Sequence, residues 1–246
     1  MLTFALVCGT AGSAAAQPVN VRGNVNVKGT VSIVPKVAPN DRGKTGKVGQ
    51  SNAVVWLKRV GSLPDSPNAN HSSARPRFEI RQSHKRFDPA ILAVPAGSVV
   101  WFPNLDPFFH NVFSMYDGNR FDLGLYEAGA SHSVTFDRPG ICFIFCNIHP
   151  EMSAVVVVVE GPYYAVSNTA GQVFIPNVPP GRYRVYAWHE RATSATPQAP
   201  PPEIDISTDN PILPTISLVE SFDLIAPHKN KYGRDYTTPA PGVLYK

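Results

Sequence analysis

The sequence predicts an all-β protein, and three observations carry that prediction. Runs of β-branched and aromatic residues recur between Gly, Pro, Asn and Asp, and no stretch shows an apolar period of 3.6 residues. Twenty-five prolines and 18 glycines punctuate 246 residues of which only 16% are charged and 43% hydrophobic, so a sizeable core with many turns is expected. Length allows two small domains.

The segment Met1 to Gln17 is apolar, then small, and ends Ala14-Ala15-Ala16-Gln17. That pattern predicts a signal peptide over residues 1–16, cleaved after Ala16, and therefore a periplasmic or otherwise exported protein. The later apolar runs fall short of the ~20 residues a membrane-spanning helix needs, and the longest, Ala154 to Val159, has the length of a strand. Strands are expected at Val54-Val55-Trp56-Leu57, Ser98 to Phe102, Ser131 to Phe136, Ile141 to Cys146 and Ala154 to Val159. Asp137-Arg138-Pro139-Gly140 joins two of them as a hairpin turn. Residues 38–53 and 61–76, rich in Gly, Ser, Asn, Pro and basic side chains, read as surface loops.

A second pattern starts after Glu160-Gly161-Pro162. Tyr163 to Val166, Val173 to Ile175 and Tyr183 to Trp188, with turns at Ser167 to Gly171 and Val178 to Gly181, read as a three-stranded meander of a small β-sandwich. Thr196 to Pro202 is a proline-rich loop, Thr215 to Val219 a last strand, and Pro227 to Lys246 a polar tail. The expected division is residues 17–160, residues 161–222 and a tail over 223–246.

Charge is uneven. The whole chain is +4, residues 18–88 carry +9 and residues 89–246 carry −5. A solvated basic face is the expected reading, ahead of steering toward an acidic partner or an anionic surface, and a nucleic-acid partner is not expected. Cleavage at Ala16 leaves Cys142 and Cys146. Four residues along a strand span about 13 Å, whereas bridged Cα atoms lie within roughly 7 Å, so the two thiols share a strand face without pairing. Cys142 then reads as a small buried hydrophobe.

Cys146-Asn147-Ile148-His149-Pro150-Glu151-Met152, with His110 upstream, is the informative cluster. A thiolate, two imidazoles and a thioether suit copper and suit zinc poorly. Cys146 ends a strand, the loop through Pro150 turns back, and Met152 opens the next strand, so three donors converge at one end of a sandwich while His110 arrives from another strand. Chain context gives other residues no such role: Phe108 and Phe109 are expected to pack, His189 to be structural, and His71, His84, His132 and His228 to be without function. Cys146 as a hydrolytic nucleophile is disfavoured, because His149 is held in the same tight loop and no oxyanion element is recognisable.

These residues resemble the cupredoxins, specifically the short-loop amicyanin pattern Cys-x-x-His-x-x-Met with an upstream His followed by Asn, over about residues 90–160. Asn168 to Phe174 and Asn177 to Tyr183 resemble carboxypeptidase regulatory-like, or transthyretin-like, β domains. The combination is similar to plastocyanin-like bacterial proteins labelled methylamine-utilisation proteins. The resemblance implies a Greek-key cupredoxin sandwich followed by a small immunoglobulin- or transthyretin-like one. It implies one type 1 copper, with Cys146, His110 and His149 as equatorial ligands, Met152 as a weak axial ligand, and Asn111 hydrogen-bonding around the thiolate loop to fix the pocket with or without metal. Cys142 stands where an aromatic or other apolar residue is usual. His110 should lie deeper and His149 nearer solvent, its imidazole edge serving as an electron port. The implied function is single-electron transfer between a redox donor and acceptor, not catalysis. The alternative is a copper-binding, storage or docking subunit of a larger exported oxidase or dehydrogenase system, in which the C-terminal β domain contacts a protein or a carbohydrate.

Overall fold

In the computed structural model, residues 23–34, 52–61, 77–115, 118–194, 200–220 and 228–236 are described. The expected signal segment 1–16 and nearly all of the two basic loops lie outside them. Among the described residues there is no helix, as the missing 3.6-residue period requires. Strands run in chain order as β1 (Val25–Val34), β2 (Val54–Arg59), β3 (Phe78–Glu79), β4 (Arg81–Ser83), β5 (Arg86–Asp88) and β6 (Ile91–Pro95). They continue as β7 (Ser98–Pro103), β8 (His110–Ser114), β9 (Phe121–Tyr126), β10 (Ser131–Phe136), β11 (Gly140–Phe145) and β12 (Ser153–Val159). The last are β13 (Tyr163–Val166), β14 (Gln172–Val178), β15 (Gly181–Trp188), β16 (Ala192–Ser194), β17 (Glu203–Ile206) and β18 (Ile216–Glu220).

Two sandwiches result. In the first, the sheet β6-β12-β11-β8-β9 faces the sheet β10-β7-β3 across a core that includes Phe102, Phe136, Ile144 and Val156. The antiparallel register Gly140↔Val158 to Phe145↔Ser153 sets β11 beside β12, and the Pro139-Gly140 turn feeds β11. In the second, the sheet β14-β1-β18-β16 faces β13-β2-β15-β17 around Val31, Leu57, Tyr163, Ile175 and Tyr183.

Pairing in the second sandwich corrects two expectations. Residues 163–188 do not form a meander: β2 lies between β13 and β15, with Leu57 opposite both Tyr163 and Val185. β14 sits in the opposite sheet against β1. The boundary after residue 160 likewise fails for β1 and β2, which belong with the strands after Pro162 and not with the first sandwich. The physical reason is that a strand's sequence carries its own two-residue period but not its partner's identity, and sequence neighbours were the default partners. The strand β17, which begins directly after the expected proline-rich loop Thr196 to Pro202, has no counterpart among the expected strands.

The sandwiches touch through a third apolar cluster formed by Val54, Ile91, Ala93, Val155, Val157 and Val159, with Trp56, Tyr164 and Trp188 packed against it. This explains the composition of β12. Ala154, Val156 and Val158 point into the first core, whereas Val155, Val157 and Val159 face the other sandwich. A strand covered on both faces has no polar side to alternate, hence the unbroken valine run. Lys58 and Glu160 form an ion pair at the junction.

Candidate metal centre

The end of the first sandwich brings His110, Cys146 and His149 together, with one ligand atom of each within 4.8 Å of the others. His110 is the first residue of β8, and Cys146 follows the last residue of β11, so adjacent strands deliver the two. The loop after Cys146 is closed at its neck by two backbone bonds, Cys146 N–H to the Met152 carbonyl at 3.2 Å and Met152 N–H to the His149 carbonyl at 3.1 Å. That closure turns His149 back: its Nδ1 lies 3.6 Å from Cys146 Sγ, and His110 Nδ1 lies 3.9 Å from the same sulfur. Met152 is buried in the first core, where the chain re-enters the sheet. His110 is wholly buried and His149 half-buried, the ordering of depth that the sequence led us to expect.

The electrostatics suit a bound cation. Burial pushes the Cys146 thiol up, while the backbone N–H groups of Asn111, Ile148 and His149 pull the other way. Three donors around one buried sulfur serve a thiolate, since a thiol has little use for them. Burial, then the neighbouring His110 ring and the Lys85 ammonium, pushes His149 down to about 4, leaving a neutral imidazole lone pair at neutral pH.

Asp106 is the functional residue that sequence reasoning missed. Its Oδ2 lies 2.8 Å from His110 Nε2. An ionised carboxylate only accepts, so Nε2 carries the proton and Nδ1 presents its lone pair toward Cys146. Burial alone would raise the Asp106 carboxyl, but the Lys85 N–H, the His110 ring and the His84 N–H outweigh it and hold the group below the usual carboxylate range. Those two N–H groups, at 2.6 and 2.9 Å, belong to the two-residue turn between β4 and β5. His84 and Lys85 both adopt left-handed φ, 55° and 56°, in that turn. Neither is a glycine, so the carboxylate also restrains a strained turn. Asn104 in turn fixes the loop that carries Asp106: its Oδ1 accepts from Asp106 N at 3.0 Å and its Nδ2 donates to the Phe108 carbonyl at 2.8 Å. A carboxylate four residues before a histidine in a loop without periodicity gives no sequence signal.

Asn111 acts differently from expectation. Its main chain faces the Cys146 sulfur, but its side chain donates to Asp122 Oδ1 at 2.7 Å and the Gly124 carbonyl at 2.8 Å, tying β8 to β9 instead of gripping the thiolate loop. Phe108 does more than pack: its ring lies 5.2 Å from that of His110 and 5.9 Å from that of His149, between centroids, and so walls the centre. Phe109 is 54% exposed, as are to a similar degree Leu105 and Ile148 on the two loops. Cys142 and Cys146 are unpaired and share the first core; Cys142 Sγ donates to Ser114 Oγ at 3.2 Å. His189 is buried and accepts from Arg191 N–H at 3.1 Å, a structural role as expected. His84 and His228, expected to have no role, lie beside the centre, His84 through its N–H to Asp106 and His228 stacked on Phe145. His71 lies outside the described residues.

No protein-family model and no curated protein matches the chain. Among solved structures it is similar to a purple cupredoxin from Nitrosopumilus maritimus, with 21% identity over 33% of this chain and 99% of that one, at a TM-score of 0.30. A copper-containing nitrite reductase from Thermus scotoductus SA-01 is 24% identical over 43% of this chain and 28% of its own, at a TM-score of 0.35. An amicyanin variant in the Cu(I) state is 19% identical over 42% of this chain and 99% of its own, at a TM-score of 0.33.

Proposed function

We propose that the chain binds one copper ion through His110, Cys146 and His149, with the Met152 sulfur as a fourth, axial donor, and carries single electrons between redox proteins in an exported compartment. The observation that carries this reading is the convergence of two imidazoles and a thiol at one buried end of a sandwich, their ligand atoms within 4.8 Å. Copper supplies the one-electron couple, and this donor set is soft enough to favour it over harder metals. The residues themselves supply everything else. Asp106 fixes the His110 tautomer, the N–H groups of Asn111, Ile148 and His149 hold the sulfur's charge, and the Phe108 ring packs against both imidazoles. His149, half-buried on the loop that also carries the exposed Ile148, offers the edge through which a partner would exchange electrons. Donors held by β-strands on both sides leave little to rearrange between oxidation states, as electron transfer demands. The second sandwich, with its carboxypeptidase regulatory-like motifs, would serve as a docking body for a protein or carbohydrate.

The test is a visible absorption titration of the mature protein with Cu(II) beside Cys146→Ser. An intense thiolate charge-transfer band that saturates at one equivalent, bleaches on reduction and is missing from Cys146→Ser supports the reading. A colourless protein, or colour that persists in Cys146→Ser, overturns it.

A further inference from the structure

The Cys146–Met152 loop is closed at its neck by two internal backbone bonds; the carbonyls of Cys146 and Pro150 and the Asn147 side chain take partners from the far C-terminal segment 228–236. The Tyr236 hydroxyl donates to the Cys146 carbonyl at 2.7 Å. Asn147 Oδ1 accepts from Lys231 N–H at 3.0 Å. The Pro150 carbonyl lies 2.7 Å from His228 Nε2, and the His228 ring stacks on Phe145 with centroids 3.9 Å apart and an interplanar angle of 22°. The Lys231 ammonium pairs at 2.7 Å with Asp122, the carboxylate that also receives the Asn111 side chain.

The segment is itself prebuilt. Asn230 Oδ1 accepts from the N–H groups of Tyr232 and Arg234, its N–H donates to the Arg234 carbonyl, and Lys229 pairs with Asp235. The Tyr236 hydroxyl lies 3.2 Å from His228 Nδ1, so the two ends of the segment meet over the loop. A preformed turn spends little entropy on docking, which separates this arrangement from a tail lying on a surface.

We propose that residues 228–236 form a clamp that holds the Cys146–Met152 loop in its metal-binding geometry, with His228 and Tyr236 as positioning residues. The inference rests on the copper reading for its purpose but not for its mechanics. Of the residues gripped, Cys146 is itself a loop donor and Pro150 follows the other, His149, so loosening the clamp frees the thiol and His149 together. His228 and Tyr236 each reach the loop at a backbone carbonyl, and His228 also stacks on Phe145 at the end of β11.

The experiment uses the full chain and two readouts. In the metal-free protein, the rate at which iodoacetamide alkylates Cys146 is followed by peptide mass; in the copper-loaded protein, the rate of copper transfer to a Cu(I) chelator is followed by absorbance. Tyr236→Phe removes one hydroxyl and is expected to raise both rates about five- to tenfold, the worth of one hydrogen bond. His228→Ala removes the stack and a bond and is expected to exceed that, while His228→Phe restores the ring and recovers part of the loss. Asp209→Ala, at an exposed position that follows β17 in the second sandwich, is expected to stay within twofold. Rates within twofold of the unchanged protein for both Tyr236→Phe and His228→Ala, whatever happens to their melting temperatures, overturn the clamp. Faster alkylation in a chain that takes up no copper keeps the clamp and overturns the copper reading. Copper uptake with unchanged rates does the reverse.

Discussion

Replacing Asp106 by alanine removes three acceptor contacts at once, and the structure lets their costs be separated. His84 and Lys85 are exposed, so water replaces the carboxylate at their N–H groups and each loss costs about 0.5–1 kcal/mol. His110 is fully buried, and its orphaned Nε2–H costs about 1–3 kcal/mol. Asp106→Ala is therefore expected to lower the stability of the metal-free protein by about 3 kcal/mol, a urea midpoint shift of roughly 1–1.5 M. It also releases the His110 tautomer, so copper affinity should fall about 10- to 100-fold. Asp106→Asn keeps one oxygen, which serves Lys85 and His110 if its amide faces His84, and should cost about half as much. Equilibrium urea unfolding and a competitive copper titration measure the two effects. Stability within 0.5 kcal/mol of the unchanged chain, or affinity within about threefold, would show that the carboxylate neither restrains the turn nor orients the imidazole.

Three other outcomes follow from the same geometry. Val156→Ala and Val157→Ala point to opposite faces of β12, yet each should cost about 2 kcal/mol in unfolding experiments, because both faces are covered; a neutral Val157→Ala would mean the third cluster adds nothing. Lys85→Gly relieves a left-handed residue at φ 56° and should raise stability by about 0.5–1 kcal/mol by thermal melting, unless the contact of the Lys85 ammonium with the Phe108 ring, 5.4 Å to its centroid, outweighs the relief and stability falls. Cys142, whose thiol burial pushes up to about 11, should be only about one part in a thousand thiolate at pH 8 and should alkylate more slowly than Cys146 of the metal-free chain, where three backbone N–H groups oppose the effect of burial; equal rates by peptide mass would refute this.

The legible parts of the molecule were those whose information is local. Ser131–Phe136 falls where its β-branched and aromatic run predicts, and Gly140–Phe145 starts at the turn glycine. Cys146 and His149 could be read together because a three-residue spacing in a tight loop admits few geometries, and His110 was read with them as the upstream histidine followed by Asn. The long-range parts were hidden. Asp106 reaches the centre through a loop shaped by Asn104, and the Tyr236 hydroxyl arrives from 90 residues away. β14 was read as a hairpin neighbour of β13 because nothing in Gln172–Val178 encodes a preference for β1 over the adjacent strand. Phe108 and Phe109 are identical in type and adjacent in sequence, and only the loop's path decides that one walls the centre and the other meets solvent.

The placement of β1 and β2 also has a consequence for the order in which the protein is made. These strands leave the ribosome before their partners β13, β14, β15 and β18, which begin only at Tyr163. Joining Leu57 to Tyr163 across an unstructured connection of about 100 residues would cost about 4 kcal/mol in closure entropy. The intervening strands β3 to β12 pair only among themselves within the sheets, so they can fold as they are synthesised and bring the two ends of that connection together. The middle sandwich thereby acts as an assembly template for the outer one. A folding defect near His110 or Cys146 would then be felt twice, at the donor cluster and in nascent chains whose first strands wait for partners that arrive too far away.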